Sequence, residues 1–292
     1  MLANGFVEEG RDVRLRSLLF VPGDRPDRMD KALGAGADAL VIDLEDSVAP
    51  LHKRKARESA AKFLSRGPRS VPVFVRINPF SSKLVDDDLV TVIPCRPDGI
   101  VLPKAEGGHS LIDLDQRLNA LGDTQAVVLP IATETPAAIF GLGSYANKTP
   151  RLCGLTWGAE DLPAAIGAST SREEDGRYTA PYEVARSLLL FGAHAAGVPA
   201  IETVYPAFRD GDGLMAYAKR GRRDGFSGMM AIHPAQIATI NAAFAPSEVE
   251  IAWAKRVVEL FDKNPGAGVL SLDGKMVDAP HLTQAIRLLA EI

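Results

Sequence analysis

Acidic and basic side chains stand at the ends of short apolar runs in this sequence. The second run ends in Asp43-Leu44-Glu45-Asp46, the third ends in Arg76-Ile77-Asn78, and the fifth and sixth lead to Glu134 and Glu160-Asp161. Carboxylates gathered in a partly buried site repel one another and lose hydration unless a cation or a basic side chain compensates them. The pattern favours a cation-assisted reaction, and its alternative is a rim of structural ion pairs.

The cation is expected to be magnesium. The 5 histidines are scattered without His-x-His or His-x-x-x-His spacing, and the 2 cysteines, Cys95 and Cys153, lie far apart, so a zinc site is disfavoured. Mg²⁺ binds through one or two carboxylates and keeps its other positions for water and substrate oxygens. Glu134 and Asp161 end consecutive runs and are therefore the predicted metal ligands.

Eight apolar runs separated by helix-like segments must position these groups. Most runs start 22 to 32 residues after the previous one, which is the length that a parallel β/α unit needs. Eight such units predict a closed (β/α)8 TIM barrel, with a doubly wound open sheet as the alternative. The runs are Ser17–Pro22, Ala39–Glu45, Val71–Asn78, Gly99–Lys104, Ala126–Glu134, Arg151–Gly158, Pro199–Tyr205 and Gly228–Pro234.

Strand alternation predicts which polar groups share a face. Side chains two residues apart on a strand point the same way, so apolar barrel layers are expected to give way to charge at the mouth. The sets that alternation groups together are Val41, Asp43 and Glu45; Phe74, Arg76 and Asn78; and Val128, Pro130, Ala132 and Glu134.

The sequence predicts three regions. Residues 1–14 are polar and are expected to form a mobile arm, residues 15–244 form the catalytic barrel, and residues 245–292 form a C-terminal extension. The extension is predicted as a helix over Ser247–Asp262, a hairpin turning at Asp273-Gly274 and a last helix over Pro280–Ile292. It could cap the barrel, close over the site as a lid or take part in oligomerisation. The segment Ala168–Ala180 is expected to be a loop over one barrel face.

Composition and missing motifs exclude several function classes. Lys and Arg number 33 against 37 Asp and Glu, and the net charge of -4 is too balanced to favour nucleic-acid binding. No membrane span, secretory signal, dinucleotide fingerprint, P-loop or serine-hydrolase elbow is found, so a cytoplasmic enzyme is expected. His233 is at least as consistent with a packed structural histidine as with a catalytic one.

Six motifs in order resemble those of a known family. The chain from Arg16 to the C-terminus resembles the citrate-lyase beta-subunit-like CoA-ester lyases of the HpcH/HpaI aldolase superfamily. This resemblance implies a (β/α)8 barrel, Mg²⁺, a CoA thioester and a 2-oxo acid as small-molecule partners, and a homotrimer. The motifs are Arg16-Ser-Leu-Leu-Phe-Val-Pro-Gly23, Asp43-Leu-Glu-Asp46, Val75-Arg-Ile-Asn78, Leu102-Pro-Lys104, Gly158-Ala-Glu-Asp161 and Ala231-Ile-His-Pro-Ala-Gln236.

The resemblance also implies roles for individual residues. It makes Glu134 and Asp161 the Mg²⁺ ligands, Arg76 the clamp for the carboxylate of the oxo acid, and Glu45 a catalytic residue near the water shell of the metal. Asp43 and Asn78 are expected to bind substrate beside Arg76.

Further positions match the CoA site and the tail of the family. Phe20, Lys31 and, more loosely, Arg25 match the region that holds CoA. Asp278 matches a tail aspartate that relatives with malyl-CoA or citramalyl-CoA lyase chemistry present to the site of a neighbouring subunit, so it is expected to be catalytic.

The expected activity is cleavage of a malyl-CoA or citramalyl-CoA type thioester to acetyl-CoA and a 2-oxo acid. Two alternatives stay open at this point. One is malate-synthase or malyl-CoA thioesterase activity on the same scaffold, and the other is a non-catalytic CoA-binding or complex subunit. One methyl group separates glyoxylate from pyruvate, a difference of roughly 1–3 kcal/mol in a pocket, so the sequence leaves the acid unassigned.

Overall fold

The computed structural model of the chain describes residues 6–8, 11–13, 15–290 and 292. It divides the chain into two compact units, one ending at Phe244 and the other covering Ala245–Ile292. The mobile arm predicted over residues 1–14 lies partly outside the described residues. Within it, Phe6–Glu8 (β1) and Arg11–Val13 (β2) form a short antiparallel pair.

Eight parallel strands form the sheet of the first unit, and each falls inside one of the predicted runs. The strand order is β7-β6-β5-β4-β3-β10-β9-β8, and parallel bridges Val128–Leu152 and Ile131–Thr156 join the two edges. The predicted (β/α)8 barrel is confirmed. Its strands are β3 (Ser17–Pro22), β4 (Ala39–Asp43), β5 (Val73–Arg76), β6 (Gly99–Leu102), β7 (Val127–Pro130), β8 (Leu155–Thr156), β9 (Ala200–Glu202) and β10 (Gly228–Ala231).

Helices connect the strands on the outside of the sheet. Those of the first unit are α1 (Pro26–Ala32), α2 (Lys53–Leu64), α3 (Val85–Val92), α4 (Gly108–Ala120), α5 (Pro136–Gly141), α6 (Leu162–Ile166), α7 (Ala180–Ala195), α8 (Gly211–Asp224) and α9 (Ile237–Ala243). Short 3-10 turns occupy Pro50–His52, Ile93–Cys95, Leu142–Ser144 and Pro234–Gln236. Among the described residues, no helix is both long and apolar enough to cross a bilayer.

Alternation along the strands builds two apolar layers. In β4, Ala39 and Val41 belong to the cluster that fills the barrel interior, whereas Leu40 and Ile42 belong to the cluster shared with the helices. Every residue of β4 is buried, which explains why a parallel strand reads as one apolar run. Side chains that continue the interior-facing series beyond the carboxyl end of a strand are therefore expected at the mouth of the barrel.

The predicted alternation does not hold through the set of Val128, Pro130, Ala132 and Glu134. Val128 and Ala132 pack in the cluster shared with the helices, while Leu129 and Ile131 face the barrel interior. Glu134 nevertheless lines the pocket at the mouth. Strand β7 ends at Pro130, and the two-residue period does not hold once the backbone leaves the extended conformation.

The second unit contains the predicted helices and hairpin. Helix α10 (Glu248–Asp262) begins at a capping box of Ser247 with Glu250, and β11 (Val269–Leu272) pairs with β12 (Lys275–Asp278) before α11 (Ala279–Ala290). Asp273 and Gly274 both have positive φ, at 52° and 76°, as a two-residue hairpin turn requires. A small apolar core of this unit includes Ala254, Val257, Val277 and Ala285.

Candidate active site

A pocket of about 430 Å³ lies at the carboxyl ends of the barrel strands. In a (β/α)8 barrel the loops that follow the strands form the active site at this end. Phe20 of β3 and four further predicted site residues line the pocket, and these four come from four other strands or the loops after them. They are Asp43, Arg76, Glu134 and Asp161.

Arg76 and Asp43 form a two-pronged ion pair across neighbouring strands. The register of β4 and β5 places Asp43 beside Arg76, and the Arg76 Nε and Nη2 atoms donate to the two Asp43 oxygens at 2.7 Å each. The Arg76 Cζ atom lies 4.8 Å from the centre of the Phe20 ring. Burial opposes ionisation of Asp43, but Arg76 outweighs it and lowers the pKa of the carboxyl.

The Arg76 guanidinium keeps donors for a ligand. Its Nη1 atom lies 3.0 Å from Glu45 Oε2, which is an ion-pair distance. The geometry is not that of a hydrogen bond, and Glu45 Oε2 is buried without a hydrogen-bond partner. A guanidinium has five N–H groups, of which Asp43 takes two and Glu45 faces one more, so about two remain. Arg76 is thus held in a fixed orientation while it can still bind a further carboxylate.

Asn78 lies behind the pocket wall. Its Nδ2 atom donates to Leu44 O at 3.1 Å and to Asp88 Oδ2 at 2.7 Å, and its Oδ1 atom accepts from Lys53 Nζ at 2.9 Å. Lys53 Nζ also donates to the backbone oxygens of Leu44 and Glu45. These bonds fix the turn that carries Glu45, and the expected contact of Asn78 with substrate would require them to open.

Lys104 connects the acidic side chains of the site. Its ammonium donates to Glu45 Oε1 at 2.7 Å and lies 3.4 Å from Asp161 Oδ1, while its backbone N–H donates to Glu134 Oε2 at 2.5 Å. Lys104 adopts a φ of 51°, a left-handed conformation that a non-glycine residue occupies at an energetic cost. Lys104 is a site residue without a predicted role, although its position at the end of an apolar run was the available signal.

The electrostatics of the site favour a cation. Burial raises the pKa of Glu134 to about 8, with Lys104 opposing the shift and Glu45 adding to it. Burial also raises the pKa of Glu45, against the attraction of Arg76 and Lys104. Lys104 therefore offsets only part of the cost of burying the Glu134 carboxylate.

Hydrogen bonds tie together the two segments that carry the predicted metal ligands. Thr133 Oγ1 donates to Gly158 O at 3.0 Å and accepts from Gly158 N at 3.1 Å. A Cβ atom at Gly158 would lie 2.7 Å from Glu134 Cγ, so only glycine leaves room for that carboxylate. These hydrogen bonds hold the segments that carry Glu134 and Asp161 in one assembly, and both side chains line the same pocket.

The donor set fits a hard divalent ion. Among the described residues, no three His, Cys, Asp or Glu side chains form a ready metal cage. Mg²⁺ does not require one, because it binds through one or two carboxylates. The raised pKa of Glu134, which is buried near the carboxylates of Glu45 and Asp161, points to positive charge that the protein alone does not supply.

The remaining predicted residues lie outside this assembly. Arg25 is exposed and its Nε atom lies 3.4 Å from Asp27, and Lys31 is exposed in the last turn of α1. Neither is among the described residues that line the pocket, whereas Arg28, three residues after Arg25, is.

Asp278 belongs to the second unit. His281 Nδ1 lies 2.5 Å from its Oδ1 atom, and this hydrogen bond lowers the pKa of Asp278. The carboxylate is partly exposed and is ionised at neutral pH.

The fold and the site define a class of protein: a (β/α)8 barrel with a buried arginine and a set of carboxylates at its mouth. The HpcH/HpaI aldolase/citrate lyase family model matches residues 16–234. The chain belongs to this family, as the sequence motifs predict.

Curated relatives and solved structures match nearly the whole chain. A citrate lyase subunit beta-like protein of Mycobacterium tuberculosis is 36% identical over 271 residues, 93% of each chain. A (3S)-malyl-CoA thioesterase of Cereibacter sphaeroides is 34% identical over 279 residues, 94% of each chain. The human mitochondrial citramalyl-CoA lyase is 32% identical over 289 residues, covering 92% of this chain and 83% of that protein.

A crystal structure of CitE from Mycobacterium tuberculosis in complex with magnesium, acetoacetate and coenzyme A superposes with a TM-score of 0.81. It is 32% identical in sequence, and the match covers 95% of this chain and 98% of that one.

Proposed function

We propose that this chain is a Mg²⁺-dependent carbon–carbon lyase that cleaves a malyl-CoA or citramalyl-CoA type thioester to acetyl-CoA and a 2-oxo acid. The observation that carries the proposal is that Arg76, Glu134 and Asp161 line one pocket in a chain of this family. The magnesium and coenzyme A of the CitE complex, and the activity named for the human relative, support it.

Glu134 and Asp161 are the residues proposed to hold Mg²⁺. When bound there, the ion supplies a Lewis acid that favours loss of the substrate hydroxyl proton and holds the oxygens of the 2-oxo acid. Lys104, which contacts both residues, is proposed to keep their carboxylates oriented and partly neutralised.

Arg76 is proposed to bind the substrate carboxylate. Asp43 holds the guanidinium in one orientation, so the donors that remain are presented without loss of side-chain entropy on binding. Glu45, buried between Arg76 and Lys104, is proposed to act on the water or hydroxyl nearest to the ion.

The thioester half of the reaction needs a proton at carbon. Cleavage breaks the bond between the second and third carbons, and the acetyl-CoA enolate that leaves must gain a proton. Asp278 is proposed to act at that carbon from a neighbouring subunit of a homotrimer: its ionised carboxylate takes a proton from acetyl-CoA in condensation, and its protonated form returns that proton in cleavage. A closed extension would exclude water from the enolate. The CoA half of the substrate is proposed to bind beside Phe20, Arg25, Lys31 and Arg28. The enzyme is proposed to be cytoplasmic.

Product analysis tests the proposal. Purified protein is incubated with Mg²⁺ and each thioester, and released CoA species and acids are separated by chromatography. Acetyl-CoA with glyoxylate or pyruvate in equal amounts is the expected result, and Glu134→Gln and Asp161→Asn should each remove it. Release of neither acetyl-CoA nor an oxo acid would overturn the lyase proposal.

A second candidate is hydrolysis of the thioester on the same scaffold. The 34% identical relative that bears the name (3S)-malyl-CoA thioesterase favours it. The same experiment separates the two functions, because hydrolysis releases free CoA and leaves malate intact.

A further inference from the structure

A further buried carboxylate, not used in the proposed reaction, lies behind the pocket. Glu202, the last residue of β9, has no exposed surface. Its Oε1 atom accepts hydrogen bonds from the Trp157 indole Nε1, from the Tyr217 hydroxyl at 2.8 Å and from Thr203 N at 3.0 Å. These donors come from three different elements, so one oxygen joins β9, α8 and the segment after β8.

Arg186 compensates the charge of Glu202. Its Nε atom donates to Glu202 Oε2 at 2.8 Å, and its Nη1 atom donates to Asp224 Oδ2 at 2.8 Å. A buried ion pair with this many hydrogen bonds holds both side chains in one orientation, and replacing either residue leaves the charge of the other uncompensated. Glu202 is therefore a fixed acceptor, and Asp224, which binds the same arginine, accepts its hydrogen bonds from Arg186 and Arg223.

Trp157 is the link between Glu202 and the pocket. It is 1% exposed, lines the pocket and comes immediately before Gly158 to Asp161. The Tyr178 ring packs against its edge with centroids 5.0 Å apart, and Arg172 lies over Tyr178 at 4.0 Å. The indole thus stands between the Glu202 network and the loop that precedes α7, and its orientation defines one wall of the site.

We propose that Glu202 is a positioning residue, which acts through Trp157 to set the pocket wall that receives the small acid. The inference rests on the proposed function, because it takes a 2-oxo acid as the ligand of that wall. It concerns the acid half of the site, and the binding of CoA should not depend on it.

Binding measurements separate this role from a general structural one. Calorimetry with Mg²⁺ and glyoxylate or pyruvate should show at least tenfold weaker acid binding in Glu202→Gln, while the affinity for CoA stays within about twofold. Asp224→Asn removes the other carboxylate of the same arginine and should leave both affinities within about twofold. Equal losses for acid and CoA, or equal losses in the two variants, would overturn the inference.

A double-mutant cycle tests whether Trp157 transmits the effect. Trp157→Phe keeps an aromatic ring but lacks the N–H that Glu202 accepts, and it leaves the other Glu202 partners in place. It should weaken acid binding about fivefold, and Glu202→Gln in that background should add less than about twofold. A full tenfold loss in both backgrounds would show that Glu202 acts by another route.

A measurement without ligand keeps the inference testable if the proposed function fails. The chain has 2 tryptophans, so Trp253→Phe leaves Trp157 as the only indole. Its near-ultraviolet circular dichroism should weaken by about half when Glu202→Gln is added, with the far-ultraviolet spectrum unchanged. An unchanged indole band would overturn the inference. A weakened band in a protein whose wild type binds neither acid would overturn the proposed function and leave the positioning of Trp157 by Glu202 standing.

Discussion

The Lys104 ammonium occupies the space between Glu45 and Asp161, and Lys104 also binds Glu134 through its backbone. A charge in that place both neutralises the carboxylates and competes with any ion that they attract. At the scale of residues, the Lys104 ammonium and a divalent ion are therefore expected to compete for the same carboxylates.

Replacing Lys104 tests that balance. Lys104→Met keeps the side-chain length and removes the charge, so Mg²⁺ should bind about tenfold more tightly, as expected when a repulsion of ~1.4 kcal/mol is lost. Titration calorimetry gives the dissociation constant, with Lys62→Met on the exposed face of α2 as the control. Weaker or unchanged Mg²⁺ binding would show that the ammonium does not compete with the ion.

Arg76 should not tolerate its closest substitute. Arg76→Lys places a point charge where Asp43 now receives two bonds, and no second set of donors remains for substrate. We expect kcat/KM for cleavage to fall at least about 100-fold, or ~2.7 kcal/mol. Arg54→Lys, at an exposed pair with Glu58, is the matched control, and equal activity of the two variants would contradict the clamp.

The sequence predicts residues well where a strand persists and poorly beyond its end. Asp43 and Arg76 could be placed together because both lie within paired strands. Asn78 could not, because β5 ends at Arg76 and the chain then turns the amide towards Lys53 and Asp88. The positive φ of Lys104 has no signature in residue type or spacing.

At the scale of elements, the site depends on how closely the segments after β7 and β8 approach. Thr133 and Gly158 exchange two hydrogen bonds, and the absent side chain of Gly158 makes room for Glu134. The apolar runs predicted both strands, but this contact depends on loop conformations after their ends. No periodic pattern reports such conformations.

A methyl group at Gly158 should therefore act on the metal site. Gly158→Ala should displace the Glu134 carboxylate and weaken Mg²⁺ binding at least tenfold, because its Cβ would lie 2.7 Å from Glu134 Cγ. Calorimetry measures the affinity, and Gly143→Ala, which meets nothing within 4 Å, is the control. If Mg²⁺ binds both variants equally well, the close approach does not position the carboxylate.

For the whole molecule, the raised pKa of Glu134 links stability to pH. The folded pKa of about 8 lies above the ordinary value of 4.5, so the folded state binds more protons between these pH values. The contribution of Glu134 to the free energy of unfolding is fully present below about pH 4.5 and is lost as the pH rises through about 8.

Denaturant unfolding without metal tests the sign. The free energy of unfolding should decline more steeply with pH between 5 and 8 in wild type than in Glu134→Gln, by at most ~1.4 kcal/mol per pH unit. Excess Mg²⁺ should reduce that difference, because ion binding to the folded state offsets the cost of ionisation. Parallel pH profiles for wild type and variant in the absence of metal would contradict the link.

The architecture of the whole chain was the most predictable property. Eight buried runs at regular spacing admit few topologies, and capping and turn residues such as Ser247 and Asp273-Gly274 mark the elements after the barrel. The homotrimer and the lid role of the extension remain predictions, because each depends on surfaces that a strand pattern does not encode. The cytoplasmic location also remains a prediction.

The central claim is that Glu134 and Asp161 together hold one divalent ion, and Mg²⁺ titration calorimetry tests it most directly. Wild-type protein should bind one Mg²⁺ per chain, and Glu134→Gln and Asp161→Asn should each weaken binding at least 100-fold while their folded content, by circular dichroism, stays the same. Binding of one Mg²⁺ with unchanged affinity in either variant would contradict the claim.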